Sequence, residues 1–190
     1  MTAEIRQLQA AARELFTSRS LMEAGEAILA NAQVLMHADA HAFYDFLRTN
    51  RPDSVVLIEM RLDLLDRCRD ADIRKAIADY EPLFDLWNEI LQARAHQASE
   101  RDGAHEIVQP CERALERVRL GRTEHPRVCG WLLTVLAEAL LHDPHGSRVD
   151  NTELALIHLR TCADWLPPLS EFQQAEVYRL LGDVSAASPG

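Results

Sequence analysis

Residues 126–141 have the sequence PRVCGWLLTVLAEALL, a proline followed by a run of Leu, Val and Ala. Proline is favoured in the first turn of an α-helix, and the apolar residues after it recur at intervals of three and four. The segment Asp143–Gly146 that follows has the composition of a turn. This stretch therefore predicts a helix with a short connection after it, and the rest of the chain repeats that pattern.

The composition favours helix along the whole chain of 190 residues. It contains 27 Leu and 26 Ala, which favour helices, against 25 Val, Ile and Thr, which favour strands. Seven Gly and eight Pro are too few for a many-stranded sandwich with a turn after every strand. We therefore predict an all-α fold of about eight or nine helices, arranged as antiparallel hairpins in a bundle or a short superhelix.

The longest predicted helix lies in the first third of the chain. Ser20 followed by Glu23 forms a capping-box pattern, and apolar positions continue at helical spacing as far as Leu47. Pro52 is the stop signal after them. We therefore expect one helix to run from Leu21 to Leu47.

The domain organisation is predicted from the segment Ala98–His105, which is the most loop-like in the chain. It suggests an N-terminal helical bundle over 1–97, a loop or seam over 98–107 and helical hairpins over 108–190, or one continuous domain. In the second part we expect a helix from about Gln109 to Leu120, with Asp150 and Ser170 capping the last two helices.

The charge balance disfavours several classes of partner. The formal net charge is −10, which repels phosphate backbones, and the clustered arginines alternate with acidic residues as on solvated helix faces. No apolar run approaches the roughly 18 residues of a membrane helix. The four cysteines form no Cys-x-x-Cys pair. We expect a cytoplasmic protein with reduced thiols that binds neither nucleic acid nor membrane.

The C-terminal third resembles a tetratricopeptide-type helical repeat. Positions that match the second helix of such a repeat, by residue size and spacing, are Ala155, Leu159, Cys162 and Pro167. Positions that match the first helix are Tyr178, Leu181 and Gly182, with comparable residues 45 positions earlier at Leu133, Leu136 and Ala137. The resemblance implies paired helices that present a groove to a peptide or a helix.

One histidine pair is a candidate metal site. On a continuous helix, His37, His41 and Asp45 would be spaced i, i+4 and i+8 and would face the same way. Two imidazoles and a carboxylate can hold a transition metal, and either histidine can ligate haem. The sequence contains no Glu-x-x-His or His-Glu-x-x-His motif to complete such a site. Two partly exposed histidines on a polar face are the alternative interpretation.

Catalytic signatures are missing from the sequence. It contains no Gly-x-Ser-x-Gly elbow and no glycine-rich phosphate loop. The aromatic residues Phe43, Tyr44 and Phe46 would line either the core or a partner groove. The sequence favours a non-enzymatic protein without a cofactor.

We therefore predict a protein–protein interaction module that acts as an adaptor, assembly chaperone or regulator and binds a peptide, a helix or a partner domain. A groove is predicted in the C-terminal part, lined by Trp131, Leu132, Trp165 and Tyr178. A helical metal- or haem-binding protein that uses His37, His41 and Asp45 is the alternative. A homodimer formed through the helix Leu21–Leu47 is a further possibility.

Overall fold

A computed structural model of the chain describes residues 3–38, 40–51, 54–69, 71–99, 104–118, 125–164 and 169–187. These ranges contain ten α-helices and no strand, which confirms the all-α prediction with one or two more helices than expected. The helices are α1 (Ala3–Thr17), α2 (Leu21–Leu35), α3 (Ala40–Asn50), α4 (Val55–Arg69), α5 (Ile73–Asp79), α6 (Glu81–Ser99), α7 (Ala104–Val118), α8 (Pro126–His142), α9 (Arg148–Ala163) and α10 (Glu171–Ala187). No helix within these ranges is long and apolar enough to cross a bilayer.

The chain divides into two compact units, Met1–Asp85 and Leu86–Gly190. The division falls within α6 and does not coincide with the predicted seam at 98–107. Of that segment, residues 98 and 99 end α6 and residues 104–107 begin α7, while residues 100–103 lie outside the described ranges. We call the two parts unit 1 and unit 2 and describe each by itself.

In unit 1, α4 is buried on nearly all sides although it carries charges. Glu59, Arg61 and Asp63 are buried with the apolar residues around them. Glu59 accepts a hydrogen bond from Arg48 at 2.7 Å, and Asp63 accepts one from the hydroxyl of Tyr80 at 2.9 Å. Buried charges persist where they are paired in this way. The charges also explain why the apolar spacing of this segment is irregular in the sequence.

Residues 126–141 form most of α8, the most buried helix of unit 2. Twelve of its residues are buried, and α8 packs against α7, α9 and α10. Gly130 allows one close approach, because a Cβ there would lie 3.0 Å from the side chains of Leu169 and Gln173. Gln173 Nε2 donates to the backbone oxygen of Arg127 at 2.7 Å, which fixes α10 against the start of α8.

An ion-pair network also joins three helices of unit 2. Arg94 of α6 donates to Glu138 of α8 at 2.7 Å and to Glu176 of α10 at 3.1 Å. The guanidinium of Arg94 lies 5.7 Å from the ring centroid of Trp131. Hydrogen bonding to Arg179 lowers the pKa of Glu176 despite its partial burial, so this carboxylate is ionised at neutral pH.

The helix-cap predictions are partly right. Ser20 and Ser170 cap α2 and α10, since their hydroxyls accept from backbone N–H groups three residues later. Asp150 does not cap α9; Ser147 does, and its hydroxyl accepts from the N–H of Asp150. Helix α7 begins at Ala104 and not near Gln109, and Pro110 lies inside it.

Candidate functional site

The helix expected over Leu21–Leu47 is broken into α2 and α3. Asn31 has φ −125° and ψ 16°, outside the helical region. Its side-chain amide donates to the backbone oxygen of Ala27 at 3.0 Å and to Glu14 of α1 at 3.2 Å. Such local side-chain bonds compete with helical hydrogen bonding. Helix α2 is therefore kinked in its last turns and ends at Leu35.

The break is fixed by a buried hydrogen bond across the turn. The Tyr44 hydroxyl donates to the backbone oxygen of Leu35 at 2.7 Å, and both residues are buried. This bond satisfies one carbonyl at the end of α2 that has no helical partner. The N–H of Ala40 donates to the backbone oxygen of His37 at 3.0 Å, where α3 begins. The chain is thus turned so that α3 starts beside the end of α2.

This turn creates a cleft among α1, the end of α2 and the start of α3, which we call the α1–α3 cleft. Its volume is about 560 Å³. The apolar side chains lining it are Ile5, Leu8, Val34, Ala40, Ala42 and Phe43. The polar residues lining it are Glu4, Gln7, Gln33 and His37. A volume of several hundred Å³ with mostly apolar walls and a few polar groups is typical of a binding site.

Two exposed apolar side chains lie in or beside the cleft. Ile5 in its wall is 45% exposed, and Phe46 is 58% exposed. Phe46 lies one helical turn after Phe43 on α3. Exposed apolar side chains grouped around a concave surface are typical of interaction sites.

The polar groups of the cleft can bind but show no catalytic arrangement. Its one carboxylate, Glu4, lies in the first turn of α1, and its one histidine, His37, lies in the turn before α3. The amides of Gln7 and Gln33 can donate and accept hydrogen bonds. The site is therefore suited to holding an apolar group and orienting it through a polar rim.

The predicted metal-binding face does not form. His37 lies in the turn, whereas His41 and Asp45 are on α3, so the i, i+4, i+8 relation is lost. His41 Nε2 accepts from the guanidinium of Arg69 at 2.8 Å, and Asp45 pairs with Arg48 at 2.7 Å. Within the described ranges, no three His, Cys, Asp or Glu side chains are grouped to hold a metal ion. The metal or haem alternative thus loses the arrangement on which it was based.

The groove predicted in the C-terminal part is not assembled from the residues expected. Trp131 and Leu132 are fully buried in the core of unit 2, because α8 is covered on nearly all sides. Tyr178 is exposed on α10, and Trp165 lies outside the described residues. The two core side chains therefore cannot line an open groove.

The four cysteines are free and buried. Burial raises the pKa of Cys68 to about 11 and the pKa of Cys111 and Cys162 to about 12. Thiols with such pKa values are almost entirely protonated at neutral pH and are weak nucleophiles. The arrangement of the cysteines supports the prediction of reduced thiols with a packing role.

Comparison with protein-family models, curated proteins and solved structures finds no match to this chain. The α1–α3 cleft is therefore assigned from its geometry. Of its residues, the sequence singled out Phe43 as lining either core or groove and His37 as a ligand. It gave no signal for the walls formed by α1 and by residues 33 and 34, since these depend on the kink at Asn31.

Proposed function

We propose that this protein is an interaction module whose α1–α3 cleft receives apolar side chains from a segment of a partner protein. The observation that carries the proposal is the exposure of Ile5 and Phe46 in and beside a cleft of about 560 Å³. A small molecule inside the cleft would leave Phe46 in water. A partner segment that spans the cleft would cover Phe46 and gain the free energy of apolar burial.

The charge of the chain favours a partner of a particular kind. With a net charge of −10 and Glu4 at the cleft, the protein attracts basic segments over acidic ones. A second copy of the chain would bring the same negative charge, and the helix Leu21–Leu47 expected at a dimer interface is interrupted. The partner we propose is therefore a different protein, with apolar anchor residues flanked by Lys or Arg.

The tetratricopeptide resemblance is compatible with an adaptor role in unit 2. Ala155, Leu159 and Cys162 are buried, as small and apolar positions of a packed second helix would be. Cys162 Sγ approaches the backbone oxygen of Gly130 at 3.5 Å. We include a repeat-like α8–α9 hairpin in the proposal as the scaffold part of an adaptor.

Photo-crosslinking in the native cell tests the proposal. The crosslinker p-benzoylphenylalanine replaces Phe46 beside the cleft in one chain and Val149 on the exposed surface of α9 in another. We expect an adduct of one defined mass from position 46 and none of that mass from position 149. Mass spectrometry then identifies the partner. A copurifying small molecule with no protein adduct would contradict the proposal.

Matched variants make the test specific for the cleft. Ile5→Asp combined with Ala42→Glu places charge in the cleft wall, and Met22→Asp places charge on an exposed apolar residue of unit 1 outside the lining. The adduct should fall about tenfold in the cleft variant, as expected for loss of a central anchor contact, and persist with Met22→Asp. Circular dichroism checks that both variants stay folded. An adduct that is insensitive to the cleft variant would overturn the assignment.

A further inference from the structure

The outward face of α9 carries three apolar side chains that are open to solvent. Val149 is 68% exposed, Leu154 is 44% exposed and Ile157 is 56% exposed. The other side of the helix is already buried in unit 2, through Leu159 and Cys162 among others. Single exposed apolar residues are common on protein surfaces, but three on one helix indicate a face that another molecule covers.

Two charged side chains of opposite sign lie on the same face. Glu153 and Arg160 are exposed, and neither side chain makes an ion pair with a described residue. They are two helical turns apart, roughly 10 Å along the axis, and Ile157 lies between them. Ion pairs within a helix form between residues three or four apart, so Glu153 and Arg160 do not pair with each other. Each is open to a charged group from another molecule.

The order of these residues is self-complementary. When two copies of α9 lie antiparallel, with a two-fold axis between residues 156 and 157, residue 153 of one copy lies opposite residue 160 of the other. Glu153 then meets Arg160 twice, and the two Ile157 side chains lie at the centre of the contact. In a parallel arrangement each residue would lie opposite itself, so like charges would meet at both positions. The charge pattern therefore matches a second copy in the antiparallel direction.

We propose that the outward face of α9 binds a second copy of this chain in a two-fold, antiparallel contact. The exposed apolar side chains leave water at its centre, and the two Glu153–Arg160 pairs fix the direction. The net charge of −10 opposes association, but charges act over only about 8 Å at physiological salt, so those far from α9 are screened. A helix of 16 residues is about 24 Å long, which makes a small contact, so the dimer is a weak one.

Sedimentation equilibrium of the full chain, from about 5 µM to about 500 µM, tests the proposal. We expect the mass to rise from one chain towards two, with a dissociation constant of about 10 µM or more. Ile157→Asp should weaken association about tenfold or more, whereas Met22→Asp, at an exposed position of unit 1, should leave it unchanged. A mass of one chain at the highest concentration would overturn the proposal, and so would a dimer that Ile157→Asp leaves intact. An adduct that this contact gives at position 149 has the mass of two copies and is distinct from the adduct of the cleft partner.

Charge reversal tests the antiparallel direction. Glu153→Arg alone would place two arginines opposite each other at both ends of the contact, and Arg160→Glu alone would place two glutamates there. Each single variant should weaken association about tenfold. The double variant Glu153→Arg with Arg160→Glu has the net charge of the original chain and again sets opposite charges against each other, so its association should return to within about twofold of the original. Both positions are exposed, so the three variants should fold, which circular dichroism checks. Association that stays weak in the double variant would refute the antiparallel contact.

Discussion

The hydrogen bond from Tyr44 to Leu35 gives a direct test of how the turn beside the cleft is held. Tyr44→Phe removes the hydroxyl and leaves the aromatic ring, which packs edge-on against Phe16 with centroids 6.1 Å apart. The Leu35 carbonyl then has no donor in a buried setting. We expect the free energy of unfolding to fall by about 1–3 kcal/mol, the cost of an unsatisfied buried polar group.

The assay is guanidinium unfolding followed by far-UV circular dichroism, with Trp fluorescence as a second probe. All three tryptophans lie after residue 85, so fluorescence mainly follows unit 2. The matched control is Tyr178→Phe, because Tyr178 is 58% exposed and its hydroxyl makes no hydrogen bond with a described residue. Its change should stay within about 0.5 kcal/mol. A Tyr44→Phe change as small as the control would refute the role assigned to this bond.

Three further predictions concern packing and protonation. Gly182→Ala should stabilise the protein by up to about 1 kcal/mol, because no side-chain atom lies within 4 Å of the position that a Cβ would take there. Gly130→Ala should destabilise the protein, because a Cβ there would be overpacked against α10. Thermal unfolding followed by Trp fluorescence checks both predictions. The four buried cysteines should react with a disulfide reagent at pH 8 only after denaturation, because burial raises the pKa of such thiols, that of Cys111 to about 12. Rapid labelling of the native protein at pH 8 would contradict this prediction. Burial raises the pKa of Tyr44 to about 12, so its contribution to stability should be complete below pH 10 and lost as the pH rises towards 12, and the raised pKa of the buried Tyr80 acts in the same direction. Unfolding curves of the variant Tyr44→Phe combined with Tyr80→Phe provide the check, because its free energy of unfolding should fall less between pH 10 and pH 12.

The helical class and most helix positions could be predicted because they depend on local spacing. Pro126, Ser20 and Ser170 are signals within one turn of the helices that they open, and the structure agrees with each. The break after Leu35 could not be predicted in this way. It depends on the contact of Asn31 with α1 and on a hydrogen bond that spans nine residues.

Only parts of the candidate site could be predicted from the sequence, for the same reason. Phe43 was considered for a core or a groove, and it lines the cleft. His37 was grouped with His41 on the assumption of a continuous helix, and the turn separates them. Trp131 was predicted to line a groove, but it is buried because α8 is covered on nearly all sides. Burial of this kind depends on how neighbouring helices pack, which local spacing does not encode.

Hydrogen–deuterium exchange of the protein with and without the partner captured from position 46 tests the central claim most directly. The claim is that the α1–α3 cleft is the surface that a partner protein covers. We predict slower exchange over residues 4–8, 33–37 and 40–46, which line or adjoin the cleft, and unchanged exchange over residues 126–163 of unit 2. Slower exchange confined to Leu86–Gly190, with no change around the cleft, would contradict the account.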